Sequence, residues 1–330
     1  MHYHDRIYGH VEIDEPVLLD VLHTRAVQRL HGVLQHGISG LVGITRATTR
    51  FEHSVGVMLL VRRLGASLQE QLAALLHDVS HTAFSHVIDY VYGGHDSQCY
   101  HETMKEKYVE HSDLPALLAR YGYDWRELLD EDQFSLLEQP APALCADRLD
   151  YFLRDSLDLG LARQEDIQRV LEGLVVCKGY IAVADEATAR WIADTYIAAD
   201  HASWSSFREV GLYELCAQAI RRGLELGAIS QSDLWSTDAQ VWHKLHLCPD
   251  AHLQELLALI SPKTRFIWDD DHPTFHVSTK LRTVDPHVLR DGQLLPLSQI
   301  DPTYGARRAA YLRSKQGKWP MRVLPALEGA

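Results

Sequence analysis

The chain has 330 residues, a formal net charge of −13 and 46% hydrophobic residues. This length suits one large helical domain with additions or two modest domains, and the hydrophobic content excludes wholesale disorder. A surface that binds a nucleic-acid duplex is normally basic, so the acidic balance disfavours extended nucleic acid as a partner.

Targeting and redox signals point to a cytoplasmic protein. The longest local apolar run, residues 55–61, falls short of the ~18 residues that a membrane span needs. The first ten residues are polar and contain no apolar signal segment. The five cysteines are scattered and form no CxxC pair, which favours a reducing compartment and argues against a cysteine-bound zinc. We expect no membrane partner; homo-oligomerisation stays open.

Hydrophobic periodicity predicts a helical first half. Predicted helices cover residues 17–34, 51–62, 68–77, 81–92, 100–108, 113–121, 125–129 and 143–157, with a loop at 37–43. Thr48 or Thr49 is the expected N-cap of the second helix, and Ser67 that of the third.

The pattern changes after Gly160. Residues 174–183 read as two strands around a Lys178-Gly179 turn, residues 188–226 as helix, and residues 275–284 as a strand whose Lys280 and Arg282 face solvent. Four aromatic residues at helical spacing are expected in the core rather than on a base-stacking surface: Trp191, Trp204, Phe207 and Tyr213. The fold class is therefore mainly α with a small α+β C-terminal portion. Its expected parts are a core (1–160), a helical extension with a β-hairpin packed on that core (161–260) and a small β-containing region (261–330).

The dipeptide His77-Asp78 is the strongest chemical signal. It ends an amphipathic helix, so both side chains can reach one ion from the last turn. Imidazole and carboxylate are suitable ligands for divalent metals. The alternative is that the pair only caps the helix C-terminus.

Other residues extend this signal beyond one dipeptide. His53 lies on the preceding helix, and Asp147 lies on a later one. His81 follows His77 by four residues and would share its face on a continuous helix, with His86 further along. Histidines beside a metal are candidates for proton transfer or phosphate contact.

Four stretches together resemble the HD superfamily of phosphohydrolases, and within it the deoxynucleoside triphosphate triphosphohydrolase (dNTPase) branch. They are residues 26–30 (AVQRL), 50–56 (RFEHSVG), 75–89 (LLHDVSHTAFSHVID) and 146–157 (ADRLDYFLRDSL). The resemblance implies an HD-domain helical bundle that holds a divalent metal ion, one of Mn, Fe, Ni, Co, Zn or Mg. The implied metal ligands are His53, His77, Asp78 and Asp147.

The resemblance also implies roles around the metal. His81 and His86 match phosphate-contacting and proton-donating groups, and Asp89 would orient His86. The implied substrate-binding residues are Arg50, His101 and Arg148 on the phosphate side, Tyr151 and Asp155 at the sugar, and Gln35 at its 3′-hydroxyl. For these residues the alternatives are ordinary ion pairs, surface positions or core packing.

Departures from the family pattern bear on the substrate. Ser80, Thr82 and Ala83 replace the usual Gly, Gly and Pro, and residues 36–49 lack the usual Tyr-Pro-Gly run. We expect metal-dependent hydrolysis of a phosphate ester, with a (deoxy)nucleoside triphosphate giving nucleoside and triphosphate. The alternatives are a phosphomonoesterase or phosphodiesterase on another nucleotide or small phosphate ester, and a catalytically silent nucleotide-binding protein. The complete H…HD…D set speaks against the silent protein.

Overall fold

The computed structural model describes residues 1–324, so the last six residues of the predicted 261–330 region lie outside it. Its architecture is mainly α, as predicted. The helices are α1 (Pro16–Leu22), α2 (Arg25–Gln28), α3 (Gly37–Leu41), α4 (Arg50–Arg63), α5 (Leu68–Leu76), α6 (Val87–Val91), α7 (Tyr100–Glu110), α8 (Leu114–Arg120), α9 (Trp125–Leu129), α10 (Ala146–Asp158), α11 (Gln164–Gly173), α12 (Glu186–Ala199), α13 (Phe207–Glu225), α14 (Asp238–Leu247), α15 (Ala251–Leu259), α16 (Leu297–Ile300) and α17 (Pro302–Lys315).

Three small sheets accompany the helices. The strands are β1 (His2–Asp5), β2 (Gly9–Glu12), β3 (Leu174–Cys177), β4 (Tyr180–Val183), β5 (Arg265–Trp268), β6 (Phe275–Val277), β7 (His287–Arg290), β8 (Gln293–Pro296) and β9 (Trp319–Leu324). Strands β1 and β2 form a hairpin, the second sheet has the order β3-β4-β7-β8, and the third has the order β5-β9-β6. The pair β4–β7 is parallel and every other pair is antiparallel. The predicted turn at Lys178-Gly179 is confirmed, since both residues have the positive φ that a tight hairpin turn needs.

Side-chain caps start the two helices that lead to the predicted metal site. Thr49 accepts a hydrogen bond from the amide of Glu52, whose carboxylate accepts one from the Thr49 amide, which is a complete capping box for α4. Ser67 accepts from the Glu70 amide and begins α5. These N-cap predictions are confirmed.

The predicted helix over residues 17–34 is wrong in its continuity. The chain forms α1, then α2, then a 3₁₀ turn at Arg29–Gly32. Thr24 interrupts it because its hydroxyl accepts from the Val27 amide and starts a new helix. The predicted loop at 37–43 also needs correction, since residues Gly37–Leu41 form the short helix α3.

Helix α6 is much shorter than the predicted helix over residues 81–92. Residues 77–86 form turns, and helical geometry returns only at Val87–Val91. Phe84 and Ser85 have φ of 62° and 50°, values that a right-handed helix does not allow. The prediction treated the i, i+4 histidines as one helical face, whereas this backbone places them around a turn.

Two predictions in the second half also need correction. The helix over 188–226 is two helices, α12 and α13, separated by a π-helical turn at Asp200–Trp204. The strand over 275–284 ends at Val277, and residues 278–286 are irregular.

Two hydrophobic clusters form the core. The first joins α4, α5, α10 and α12 with Val284 and Val288. The second joins α6, α13 and α15 with Val277 and Trp319. Both clusters draw side chains from either side of residues 160 and 260, and the division of the chain at those two positions stays a prediction. Within residues 1–324, no helix combines the length and apolar character that crossing a bilayer requires.

Candidate active site

The four predicted metal ligands converge from three helical segments. His53 lies in α4, His77 and Asp78 directly follow α5, and Asp147 lies in the first turn of α10. The Nε2 atom of His53 is 2.9 Å from Oδ1 of Asp147, 3.5 Å from Oδ2 of Asp78 and 3.3 Å from Nε2 of His77. The Nε2 atom of His77 is 3.6 Å from Asp78 and 3.5 Å from Asp147.

The ligand atoms of His53, His77 and Asp147 fit a divalent ion, because they lie 2.9–3.5 Å from one another. Atoms about 2.0–2.2 Å from one metal are separated by roughly 3–3.5 Å. Among the described residues, Asp78 does not join these three within 4.8 Å, and its carboxylate groups instead with His81 and His101.

The rings of His53 and His77 have their Nδ1 atoms engaged elsewhere, since His53 contacts Asp150 at 2.8 Å and His77 contacts the carbonyl of Ala74 at 2.7 Å. If each Nδ1 carries the proton, the Nε2 lone pairs face carboxylate oxygens, an arrangement that a cation between them stabilises.

The charged state of the carboxylates agrees with this fit. Burial alone would raise the pKa of Asp78, but Arg50 and His77 outweigh burial and hold it well below its usual range. The same opposition between burial and two histidines lowers the pKa of Asp147. Both carboxylates are therefore ionised at neutral pH, as metal ligands must be.

A buried ion network supports His53 from behind. Asp150 lies 2.8 Å from the Nδ1 atom of His53 and accepts hydrogen bonds from Arg154, which also donates to Asp5 at 2.9 Å. Gly56 on α4 leaves the space for this network, because a Cβ there would lie 2.0 Å from Nη2 of Arg154. We did not predict Asp150 from the sequence, although its position three residues after Asp147 and four before Arg154 is a helical-face signal.

Three histidines form a cluster beside the predicted ligands. The rings of His81 and His101 stack at 3.9 Å, and that of His86 lies 5.0 Å from His81. The Nδ1 atoms of His81 and His101 are buried and have no hydrogen-bond partner within residues 1–324. His86 contacts Asp89 through Nδ1 at 3.2 Å, the arrangement that the resemblance implied. Burial and the nearby Arg50 and Arg282 lower the pKa of His86.

A cavity of about 300 Å³ opens onto this centre. Ten of the thirteen predicted site residues line it: Gln35, Arg50, Asp78, His81, His86, His101, Asp147, Arg148, Tyr151 and Asp155. The other three, His53, His77 and Asp89, are adjacent to lining residues through the contacts described above. Positions predicted from separate stretches of sequence therefore form a single site.

The two arginines predicted on the phosphate side already have carboxylate partners. Nη1 of Arg50 donates to Asp78 at 2.6 Å, and its Nε donates to Ser85 at 3.0 Å. Nη2 of Arg148 donates to Glu138 at 2.7 Å. Each cation is thus fixed in place, and its charge is partly offset before any ligand arrives.

Of the residues predicted at the sugar, Asp155 contacts His36, a residue that the sequence did not point to. The Nε2 atom of His36 is 2.9 Å from Asp155, and its Nδ1 is 3.7 Å from Glu209. Trp204 donates from Nε1 to the other oxygen of Asp155 at 2.7 Å. Burial alone would lower the pKa of His36, but Asp155 and Glu209 outweigh it and raise the pKa to about 10. The buried Oε1 of Gln35 has no partner within the described residues.

The predicted strand for Lys280 and Arg282 is wrong, since both line the cavity from the irregular 278–286 segment, and Lys280 is also exposed. Trp204 and Tyr213 pack against the hydrophobic clusters, as helical spacing predicted, and also line the cavity. Spacing alone could not predict this cavity contact, because it does not tell which face of a helix meets a cavity.

The helical bundle and the H…HD…D cluster define an HD-type metal-dependent hydrolase. The family model "HD domain" matches residues 50–155, the segment that contains all four predicted ligands.

Relatives extend the similarity to nearly the whole chain. The chain is 38% identical over 320 residues to the metal-dependent phosphohydrolase cns2 of Cordyceps militaris, covering 94% of this chain and 92% of that protein. It is also 38% identical to the uncharacterized protein YdhJ of Bacillus subtilis, covering 95% and 96%. The chain therefore belongs to the HD-domain family of metal-dependent phosphohydrolases, as the resemblance implied.

Two further similarities are weaker. The deoxynucleoside triphosphate triphosphohydrolase SAMHD1 of Danio rerio is 28% identical over 227 residues, which cover 53% of this chain and 36% of that protein. The crystal structure of a hypothetical protein from Aquifex aeolicus matches with a TM-score of 0.70 at 21% identity, covering 98% of this chain and 95% of that one. The latter similarity concerns the fold alone.

Proposed function

We propose that this phosphohydrolase cleaves a nucleoside triphosphate, a deoxynucleoside triphosphate in the first place, into nucleoside and triphosphate. The observation that carries the proposal is that one cavity at the predicted metal position is lined by both kinds of residue that such a substrate needs. The lining of this cavity includes arginines and histidines, which suit phosphate, and side chains that can form hydrogen bonds to a sugar.

On the phosphate side, Arg50, Arg148 and the histidine cluster would contact the reacting phosphoryl group. Arg50 is held against Asp78, so its charge lies next to the predicted metal ligands. The buried Nδ1 atoms of His81 and His101 have no hydrogen-bond partner within residues 1–324, and both rings line the cavity. Phosphoryl transfer depends mainly on positioning and on fixed charges, and these residues would provide both.

On the sugar side, the unpartnered Oε1 of Gln35 would accept a hydrogen bond from a sugar hydroxyl. Asp155 has both oxygens engaged, by His36 and by Trp204, yet a carboxylate can accept further hydrogen bonds. A site with buried polar groups discriminates strongly against ligands that leave those groups unpaired. Gln35, Tyr151 and Asp155 would therefore select the sugar.

The predicted ligands His53, His77, Asp78 and Asp147 would hold the divalent ion, which would supply an activated water and offset phosphoryl charge. His86 would donate a proton to the leaving oxygen. Its pKa is lowered partly by nearby cations, so negative phosphate in the cavity would counter that effect. The protonation of His86 would then accompany substrate binding.

Two more expectations accompany this proposal. We propose a cytoplasmic location, which fits the presence of all five cysteines as free thiols. We also retain homo-oligomerisation as a prediction that mass measurement in solution can test.

The test is product analysis with purified, metal-loaded protein. Deoxynucleoside triphosphates, ribonucleoside triphosphates, nucleoside monophosphates and cyclic nucleotides are incubated separately, and the products are separated by ion-exchange chromatography. We expect nucleoside and inorganic triphosphate in equal amounts from at least one deoxynucleoside triphosphate. Release of orthophosphate from a monophosphate, with no cleavage of any triphosphate, would instead support a phosphomonoesterase. Opening of a cyclic nucleotide alone would support a phosphodiesterase.

A further inference from the structure

The segment of residues 278–286 borders the cavity, although it comes from the C-terminal region and not from the HD domain. It joins β6 to β7 without regular structure. Val277, just before it, is buried in the second hydrophobic cluster, while Val284 is buried in the first. The segment therefore passes from one cluster to the other beside the cavity and carries Lys280 and Arg282 on its wall.

Hydrogen bonds fix this segment at several points. The hydroxyl of Tyr304 donates to the carbonyl of Val284, and the amide of Asp285 donates to the carbonyl of Pro142 at 2.7 Å. Thr283 accepts from Nε of Arg308 at 2.9 Å. A segment held in this way presents its side chains with little ordering left to occur on binding.

Arg282 and Arg308, on this side of the cavity, have only uncharged polar partners, and the ammonium of Lys280 has no hydrogen-bond partner within residues 1–324. Arg282 donates to the side-chain oxygen of Gln98 and to the carbonyl of Lys280, and Arg308 donates to Thr283. Among the ion pairs within residues 1–324, none involves Lys280, Arg282 or Arg308. In this they differ from Arg50 and Arg148, which are paired with Asp78 and Glu138.

The surroundings of Lys280 disfavour its charge, whereas those of Arg282, which include Asp200, favour the charge of that side chain. Burial and the adjacent Arg282 lower the pKa of Lys280, while Glu102 and Asp147 act on it only from beyond ion-pair distance. Neighbouring like charges repel each other, and an anion bound between Lys280 and Arg282 would reduce that repulsion.

We propose that Lys280, Arg282 and Arg308 bind the terminal phosphates of the substrate, beyond the phosphoryl group that lies at the metal. This inference rests on the proposed function and deepens it. Arg50 and the histidines lie at the predicted metal position and suffice for one phosphoryl group. A monophosphate ester would therefore leave Lys280, Arg282 and Arg308 without an anion to bind. The substrate class that uses both groups of residues is a phosphate ester with at least one additional phosphate, such as a nucleoside di- or triphosphate.

The test compares the binding of inorganic tripolyphosphate and orthophosphate by titration calorimetry, using metal-loaded protein. The variants are Lys280→Gln, Arg282→Gln and the double variant. The matched control is Arg290→Gln, because Arg290 is an exposed cation of β7 in the same region that does not line the cavity. Hydrogen bonds to charged groups contribute enough that each lost contact should weaken tripolyphosphate binding about tenfold or more. Orthophosphate binding should change less than about threefold, and the control should change neither.

Two results would overturn the inference. One is wild-type protein that binds tripolyphosphate no more tightly than orthophosphate. The other is a folded double variant that binds tripolyphosphate within about threefold of the wild type. If Arg282→Gln fails to fold, Lys280→Gln becomes the deciding variant, because it changes an exposed residue. Arg282→Lys, which keeps the charge, should then bind tripolyphosphate more tightly than Lys280→Gln does. If the variants lose tripolyphosphate binding but the wild type cleaves only monophosphate esters, the proposed function is refuted, while the three cations still form a polyphosphate-binding site.

Discussion

Asp78 contacts an arginine as well as histidines. Its oxygens lie 2.6 Å from Arg50, 3.1 Å from His81 and 3.5 Å from His53. This one carboxylate therefore joins the predicted metal position to the phosphate-side arginine and to the histidine cluster. Its removal should affect the metal and the reaction together.

We predict that Asp78→Ala abolishes stoichiometric metal binding and phosphohydrolase activity. Two imidazoles and one carboxylate would remain, with Arg50 left unpaired beside them. Metal content is measured by plasma mass spectrometry after desalting. Asp14→Ala is the control, because Asp14 is exposed and lies away from the cavity. A folded Asp78→Ala protein that keeps one metal per chain would refute the ligand assignment.

His36 gives a prediction about pH and stability. Its pKa is about 10 in the folded protein, against about 6.5 for an unfolded histidine. Between these values the folded state binds the extra proton, so this group's stabilising contribution is complete below pH 6.5 and falls as pH rises towards 10. Over this range the free energy of unfolding should lose about 1.4 kcal/mol per pH unit from this group.

The variant His36→Gln isolates this contribution. Urea unfolding at several pH values should show wild type and variant differing most below pH 6.5, with the difference shrinking up to pH 10. A difference that stays constant over this range would show that His36 is neutral in the folded protein.

At the scale of elements, α4 and α10 meet at Gly56. A Cβ at this position would lie 2.2 Å from Oδ1 of Asp150 and would displace the side chain that contacts His53. We predict that Gly56→Ala lowers metal affinity about 10–100-fold, the usual effect of losing a group that orients a metal ligand. It should also reduce the free energy of unfolding by about 1–3 kcal/mol, as overpacking does.

The control for Gly56→Ala is Gly173→Ala at the end of α11. A Cβ there would meet Thr188 at an ordinary 3.5 Å. Metal affinity by competitive titration and stability by urea unfolding should both remain near wild type in the control. Unchanged metal affinity in folded Gly56→Ala would contradict the orienting role of Asp150.

The sequence predicted elements that carry their own local signals. Thr49 and Ser67 are N-caps that predict the start of α4 and α5, and Lys178-Gly179 predicts a hairpin turn. The prediction of a helix was wrong at residues 81–86. The histidines there have helical spacing, but the backbone forms a turn with positive φ at Phe84 and Ser85. Those angles depend on tertiary packing and not on local propensity.

The candidate site likewise contains residues that the sequence predicted and residues that it did not. Its predicted ligands lie in short motifs whose residue types and order have chemical meaning, and ten of the thirteen predicted site residues line the cavity. Lys280 and Arg282 lie more than a hundred residues beyond Asp155, the last of the predicted site residues. Their alternation resembled a strand, and only the folded chain brings them to the cavity. A long-range contact of this kind leaves no periodic signal in one sequence.

At the scale of the whole molecule, the metal should contribute to stability. The centre joins α4, α5 and α10, three main parts of the first hydrophobic cluster. A metal that binds only the folded state adds about 2.7 kcal/mol when its free concentration is a hundred times its Kd. We predict that chelation lowers the melting temperature by several degrees and that adding back the native metal restores it.

Scanning calorimetry on one preparation before chelation, after chelation and after metal return checks this. Chelator that has been saturated with metal is the control for direct effects of the chelator. An unchanged melting temperature in protein proven free of metal would refute the coupling between metal and fold.

The buried chain of contacts from Asp5 through Arg154 and Asp150 to His53 has a practical consequence for handling the protein. Asp5 belongs to β1, so the first strand is only three contacts away from a predicted metal ligand. A tag, linker or proteolytic cut that displaces Asp5 would therefore also disturb the contacts that hold His53, a predicted metal ligand. Preparations that differ only in their N-terminal tags should be compared for metal content before their activities are compared.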